Sequence, residues 1–518
     1  MKSSFRFILV CLICLVIIGF PVQAQDTGWS TPVALSSAKV SAWFPDIATD
    51  EFGKVHVVWS QATGNFDNVM YTNSNDGKNW LPANDIVAIP ADRGSEATRP
   101  NLVVSDEISR LYLLYRYNQV FVAEAQNVDV ENASSWETTA ILSDSNQVAY
   151  FSDAQLDSDA NLHALITWNV PTPDCEICYH VFYRKFVEDV GRWSTVSDIS
   201  QIEGGAAKPN LLIDNQQNLH AVWEASDEGG GSYGAVSKPV YIMYARSTDA
   251  GSSWTEPTKF RPIQDESRNP AIIQDREGQI LVVWSSLPDD KVYYGISANG
   301  GEDWSAPNSI PNISGGWSIY NTMLDGTSME IDSDGIVHLA LVGRVNELLD
   351  RLQVIHLTWD GNEWSDPDVI VTYQGDVPEW PRIAVSEGNK LNVVWFLRDE
   401  EHVWDTVNGN YGIWFSQLVT SAEVISTKVR PTSTPTPEGT GLPSSVPAQG
   451  TETIVPEPAT IIPTETASPA IPTGYVPGEN AYYKETDYLK LVGVAVIPAG
   501  LFIGLMLLII LLIRSKRH

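Results

Sequence analysis

The chain has 518 residues, 43% of them hydrophobic, with 64 acidic against 32 basic side chains and a formal net charge of −32 at pH 7. That length and apolar content support a sizeable core. So acidic a surface repels a phosphate backbone, which excludes nucleic acid as a partner, and it suits a soluble exported protein.

Residues 1–24 read as a secretory signal peptide. Lys2 and Arg6 form a basic start, Phe7 to Phe20 is an apolar run, and Val22-Gln23-Ala24 resembles a small-residue cleavage site. An uncleaved N-terminal anchor is the competing reading. Cys11 and Cys14 lie inside this segment and leave with it if it is cleaved.

Residues 25–425 are the folded part, and they repeat. The best copies are "FPDIATDEFGKVHVVWS", "KPNLLIDNQQNLHAVWE", "NPAIIQDREGQILVVWS" and "WPRIAVSEGNKLNVVWF". Each has a Pro, alternating apolar residues, an Asp/Gly/Asn turn and an apolar run ending in Trp, the pattern of a two-strand hairpin. The anchor positions are 59, 115, 168, 223, 284, 341 and 395, a period of 53 to 61 residues. Seven units of four short strands predict an all-β, seven-bladed β-propeller, with six blades as the alternative. The third strand of a unit reads as in "VYIMYARS". A polar turn and a W-S/T-x-P segment then open the fourth. The last unit stops at its third strand, "YGIWFSQL", and "TGWSTPVAL" at residues 27–35 reads as the missing fourth strand. Sharing one blade between the two ends closes the ring and leaves no long free edge.

Residues 426–488 are rich in Pro, Thr, Ser and Glu and read as an extended stalk. At roughly 3.1 Å per residue its central stretch reaches on the order of 150 Å. Residues 489–513 read as a transmembrane helix: Leu491 to Ile513 carries no charge, and the tail "RSKRH", residues 514–518, is basic. The expected location is therefore the cell membrane, spanned once, with the N-terminal domain outside and the C-terminus in the cytoplasm.

The turn "STDAGSSW" places Ser247, Asp249, Gly251 and Trp254 at the spacing S-x-D-x-G-x-x-W, with partial copies at "NSNDGKNW", "SANGGEDW" and "WDGNEW". In this it resembles an Asp box, and the chain from about residue 27 to 420 resembles the sialidase superfamily and its Asp-box (BNR-repeat) propellers. The resemblance implies that the box shapes an outer hairpin turn and that its Trp packs between blades, so the turn is structural. It also implies a ligand pocket on the axis, lined by the starts of the innermost strands.

Read unit by unit, those starts carry Trp43, Phe44 and Asp46; Arg99; Tyr150, Phe151 and Asp153; Lys208; Arg268; Trp380 and Arg382; with Trp317 and Tyr320 before the sixth. Arg268, Arg99, Arg382 and Lys208 bring basic groups, and Trp43, Tyr150 and Trp380 bring rings. Rings stack on sugars and Arg forks bind carboxylates. The expected ligand is a glycan, acidic by preference, or a cell-surface protein. The bland alternative is that the basic groups pair with Asp and Glu around the strand starts. Active members of the superfamily use three arginines, a Tyr–Glu pair and an acid/base Asp. The nearest counterparts are Arg268, Arg99 and Arg382 with Tyr320, Glu330 and Asp46, matched by position rather than by motif, and an exo-sialidase-like hydrolase is the alternative function.

His56, His163, His220 and His338 share one repeat slot in four different units, which argues against a shared metal. No metal site or cofactor is expected; calcium would suit the acidic surface, but no motif supports it. "DCEIC" makes Cys175 and Cys178 a local disulfide candidate outside the cytoplasm.

Overall fold

The computed structural model describes residues 28–428, apart from 38–39, 64, 91–97, 145, 174, 203, 228–238, 261–265, 316–325, 346–350 and 403–410. The signal, stalk, membrane helix and cytoplasmic tail lie outside the described residues.

Seven antiparallel sheets follow one another around an axis. Blade 1 is formed by Ser41–Thr49, Val55–Thr63, Phe66–Ser74 and Asn84–Pro90, and the pattern recurs in blades 2 to 7. The innermost strands of blades 2 to 7 are Asn101–Ser105, Ala149–Leu156, Gly205–Ile213, Ser267–Gln274, Thr327–Ile331 and Asp376–Ser386. Blade 7 takes its outer strand from the N-terminus, where Val33 and Ala34 pair with Phe415 and Trp414. Ser30 N and Leu35 N extend the ladder by donating to Gln417 O and Ile413 O, each at 2.8 Å. The ring closes as the sequence pattern predicts, with seven blades rather than six.

The repeat's anchors explain the core. Trp59, Trp223 and Trp395 are fully buried, each on the second strand of its blade. The tryptophans of the polar turns work between blades, each packing on the preceding one. Trp80 meets Phe415 at 4.7 Å between ring centroids, Trp254 meets Tyr183 at 5.2 Å, Trp304 meets Tyr244 at 5.0 Å and Trp364 meets Tyr294 at 5.8 Å. The turn at Ser247 is built to present that ring. Ser247 Oγ accepts from Gly251 N at 2.9 Å and donates to Asp249, whose carboxylate accepts from Ser253 N at 2.8 Å. Gly251 has φ +85°, and a Cβ there would collide with the Tyr183 ring, so the position requires glycine.

The four repeat-slot histidines are each held within their own blade. His163 Nε2 lies 3.0 Å from Asp157 and its Nδ1 2.8 Å from the Tyr183 hydroxyl. His56 and His220 repeat this with Asp50 and Tyr71, and with Asp214 and Tyr244. In blade 6, His338 Nε2 faces Asp332 at 3.1 Å and its Nδ1 faces His356 Nε2 at 2.9 Å. A carboxylate only accepts, so His338 carries its proton on Nε2 and accepts on Nδ1 from His356 Nε2–H. Burial, with His338 as a neighbour, pushes His356 down to about 3, and burial also lowers His338 and His163 against the opposing pull of their aspartates.

This network predicts acid lability. An unfolded His takes up its proton near 6.5, whereas folded His356 resists until about 3. Below pH 6.5 the unfolded chain therefore binds more protons than the native one, and stability present above 6.5 is lost as pH falls toward 3. Melting curves of the protein and of His356→Gln between pH 7.5 and 4 are expected to converge as the pH falls. Parallel curves would remove His356 from the account.

Candidate binding site on the propeller axis

The chain reaches the axis through one recurring backbone device. Phe44, Arg99, Lys208, Asn269 and Trp380 each precede a proline, at the starts of the innermost strands of blades 1, 2, 4, 5 and 7, and each has φ between +45° and +54°. Proline cannot donate to a ladder, so a strand that contains one accommodates it at a bulge. The register shifts there in blades 1, 4, 5 and 7, and in blade 3, where Ser152 stands in the proline's place. A left-handed residue of this kind costs about 1–2 kcal/mol. The bulge re-aims its side chain, and in five blades the same slot is spent this way.

The residue after the proline, or its counterpart in blades 3 and 6, links one blade to the next at five of the seven junctions. Asp46 Oδ2 accepts from Leu102 N at 2.7 Å and Asn101 Nδ2 at 2.9 Å, and Asp153 Oδ2 does the same with Leu211 N and Asn210 Nδ2. Asn210 then accepts from Ile272 N, and Ser328 Oγ from Ile383 N. Arg382 holds this slot in blade 7 and closes the circle with its Nε 3.7 Å from Asp46 Oδ1. Burial raises Asp46 above the usual carboxylate range and pushes Asp153 up to about 6, against the pull of Arg382 on both.

A depression of about 480 Å³, open solvent included, lies at this end of the axis. Its lining includes Phe151 and Trp380, whose rings lie near-parallel with centroids 6.3 Å apart, and Lys208, Asn210, Asn269, Thr327 and Arg382. The wall residues are braced from behind. Trp380 meets Phe44 edge-on at 5.3 Å. Lys208 Nζ reaches Asn269 Oδ1 at 2.5 Å and Glu224 at 3.1 Å. A second cavity, of about 1120 Å³ with open solvent included, is lined mainly by the later halves of the innermost strands of blades 1, 2, 3, 6 and 7.

The expected site residues divide into three groups. Lys208, Trp380 and Arg382 line the axial depression. Arg99 and Tyr150 stand one layer behind it: the Arg99 guanidinium lies 3.9 Å from the Phe44 ring centre, 4.5 Å from Tyr150 and 4.7 Å from Phe151, and donates to the Tyr150 hydroxyl at 3.3 Å. The remaining residues do not line the depression. Arg268 is 3% exposed and gives one Nη to Glu224 at 3.1 Å and the other to Glu266 at 3.2 Å. Burial works against the charge on Glu224, but Lys208 and Arg268 outweigh it and hold the carboxyl below its ordinary value. Trp43 is buried edge-on against Tyr411, which removes it as a stacking surface.

Arg268, Arg99 and Arg382 therefore do not present three forks to one pocket. Asp46 is buried and engaged as a blade lock, and Glu330, raised by burial, lines the second cavity rather than the first. Tyr320 and Trp317 lie outside the described residues. Cys175 and Cys178 form the local disulfide, with their Cα atoms 5.9 Å apart. Phe151, Asn269 and Thr327 complete the lining. Asn269 was legible as a pre-proline residue in "SRNPAII"; Thr327 sits in a unit with no proline to mark it.

No family model and no curated protein matches the chain. Among solved structures it is similar to a polysaccharide lyase, a PL25 ulvan lyase bound to -[GlcA(1-4)Rha3S]-, at 10% identity and TM-score 0.50 over 76% of this chain and 97% of that one. A protein of unknown function from Dyadobacter fermentans matches at 15% identity and TM-score 0.45 over 76% and 99% of the two chains. A leech intramolecular trans-sialidase matches at 12% and 0.41 over 73% and 68%. At these identities the likeness is one of fold.

Proposed function

We propose that the protein binds a glycan in the axial depression and that it does so outside the cell, tethered by its C-terminal segment. The observation that carries this reading is the lining of the axial depression, where three pre-proline residues at positive φ, Lys208, Asn269 and Trp380, meet Phe151 and Thr327, so that aromatic and polar groups share one pocket. A sugar has the same two characters: C–H faces that stack on rings, and hydroxyls that bond to amide, ammonium and hydroxyl groups. Trp380 and Phe151 supply the first kind of contact, and Lys208, Asn269 and Thr327 the second. That a solved neighbour of the same fold is a lyase bound to a saccharide agrees with this, but the reading rests on the pocket.

Binding is favoured over turnover. Arg268, Asp46 and Glu330 are engaged or placed elsewhere, which leaves the superfamily's hydrolytic set without a counterpart among the described residues. The test is a glycan array probed with the full-length protein, followed by calorimetry on the best binder. Trp380→Ala is expected to weaken binding at least tenfold, about 1.4 kcal/mol, and Trp380→Phe to recover part of it. Affinity unchanged in Trp380→Ala would overturn the assignment. Release of sugar from a bound sialoside, lost on substitution of an axial residue, would replace binding with hydrolysis.

A further inference from the structure

We infer that Arg99 sets the pocket's preference for anionic over neutral sugars without touching the ligand, by being a cation behind the pocket that no carboxylate neutralises among the described residues. This rests on the reading of the axial depression as a glycan site, and it names the class of glycan.

The inference follows from pairing the charges around the axis. Lys208 and Arg268 share Glu224, and Arg268 also takes Glu266. Arg398 makes a two-pronged pair with Glu379. Arg382 lies 3.7 Å from Asp46, with Asp153 also acting on it. Each of these cations has an anion beside it, so its field in the pocket is largely cancelled.

Arg99 differs. No acidic residue pairs with it among the described residues. Its hydrogen-bond partner is a tyrosine hydroxyl, and its Nε and Nη1 are buried without any partner. A second cation, Arg116, acts on it from nearby and opposes its charge rather than cancelling it. The rings of Phe44, Tyr150 and Phe151 hold the guanidinium by their electron-rich faces, which stabilises a cation without cancelling its charge. Phe151 is itself a wall of the pocket, and Phe44 backs Trp380, the other aromatic wall. The charge therefore stands one ring's thickness behind the surface on which a sugar would stack, with no water between to screen it. At such range and low dielectric a unit charge is felt strongly. A carboxylated or sulfated sugar gains from it, and a neutral one does not.

The test uses the full-length protein and two probes of equal length that differ at C6, a β-1,4-glucuronan tetrasaccharide and cellotetraose, each titrated by calorimetry. The protein is expected to prefer the glucuronan at least tenfold and to keep most of that preference between 0.05 and 0.5 M salt, because salt screens a buried charge far less than an exposed one. Arg99→Gln should lower glucuronan affinity about tenfold and leave cellotetraose unchanged. Arg99→Lys, which keeps the charge, should retain the preference. Equal loss of both probes in Arg99→Gln would make Arg99 a packing residue and overturn the inference, as would a preference that survives the substitution; the glycan reading would stand in both cases. If Arg99→Gln does not fold, the parent protein decides: equal affinity for the two probes, or a preference abolished by 0.5 M salt as for exposed charges, overturns the inference. Failure to bind either probe, or any glycan on the array, would remove the glycan reading and the inference with it.

Discussion

Arg268→Ala is expected to destabilise the propeller by roughly 3–5 kcal/mol, the range for removing one partner of a buried ion pair. Arg268 is 3% exposed, and its loss leaves Glu224 and Glu266, at 1% and 6%, facing each other without the cation that both share. Lys208 still reaches Glu224 at 3.1 Å and offsets part of the loss. Arg268→Met should be milder than Arg268→Ala, because it refills the volume, yet it should still fall well below the parent protein. Urea unfolding curves measure this. A variant as stable as the parent but defective in glycan binding would restore Arg268 to the ligand site and contradict the charge pairing described above.

Deleting residues 26–36 is expected to cost on the order of 3 kcal/mol in lost burial and hydrogen bonds and to drive association. The deletion removes Trp29, whose indole N–H donates to Asp368 at 2.9 Å and whose ring meets His356 edge-on at 5.4 Å. It also removes the ladder to Tyr411–Val419 and uncovers that strand's free edge, a template for pairing with a second copy. Light scattering and melting of the truncated protein check both effects. A monomer with unchanged melting would mean that the ring is closed by side-chain packing alone.

Much of this architecture was legible because a propeller repeats its solution. Seven copies of one hairpin pattern fixed the blade count, and the unpaired "TGWSTPVAL" and "YGIWFSQL" pointed to the closing blade. The tryptophans of the polar turns were legible as inter-blade packing because the turns resemble an Asp box, which implies that role. The site was less legible. The prolines were read as shaping the strand starts, but five X-Pro pairs at one repeat slot are a bulge signal, and a bulge decides which neighbouring side chain turns to the axis. That distinction separates Trp380, which lines the depression, from Trp43, which sits one residue earlier in its own unit and is buried. Arg268 was misplaced for the same reason: it is two residues before its proline, where the side chain points into the blade interface. Its partners Glu224 and Glu266 come from a strand 44 residues earlier and from a bridge just before its own strand, a pairing that no local spacing encodes. Phe151 was legible at its strand start by alignment with the other units, although blade 3 has Ser152 in place of the proline.

The most direct test of the axial assignment is a crystal structure of the protein with the tightest-binding glycan from the array. The expected result is density for a sugar ring stacked on Trp380 or Phe151, with its hydroxyls within hydrogen-bond distance of Lys208, Asn269 or Thr327 and its acidic group on the side of the ring nearest Arg99. Density on the outer faces of the blades or on the loops at the rim, with the axial depression holding only water, would contradict it.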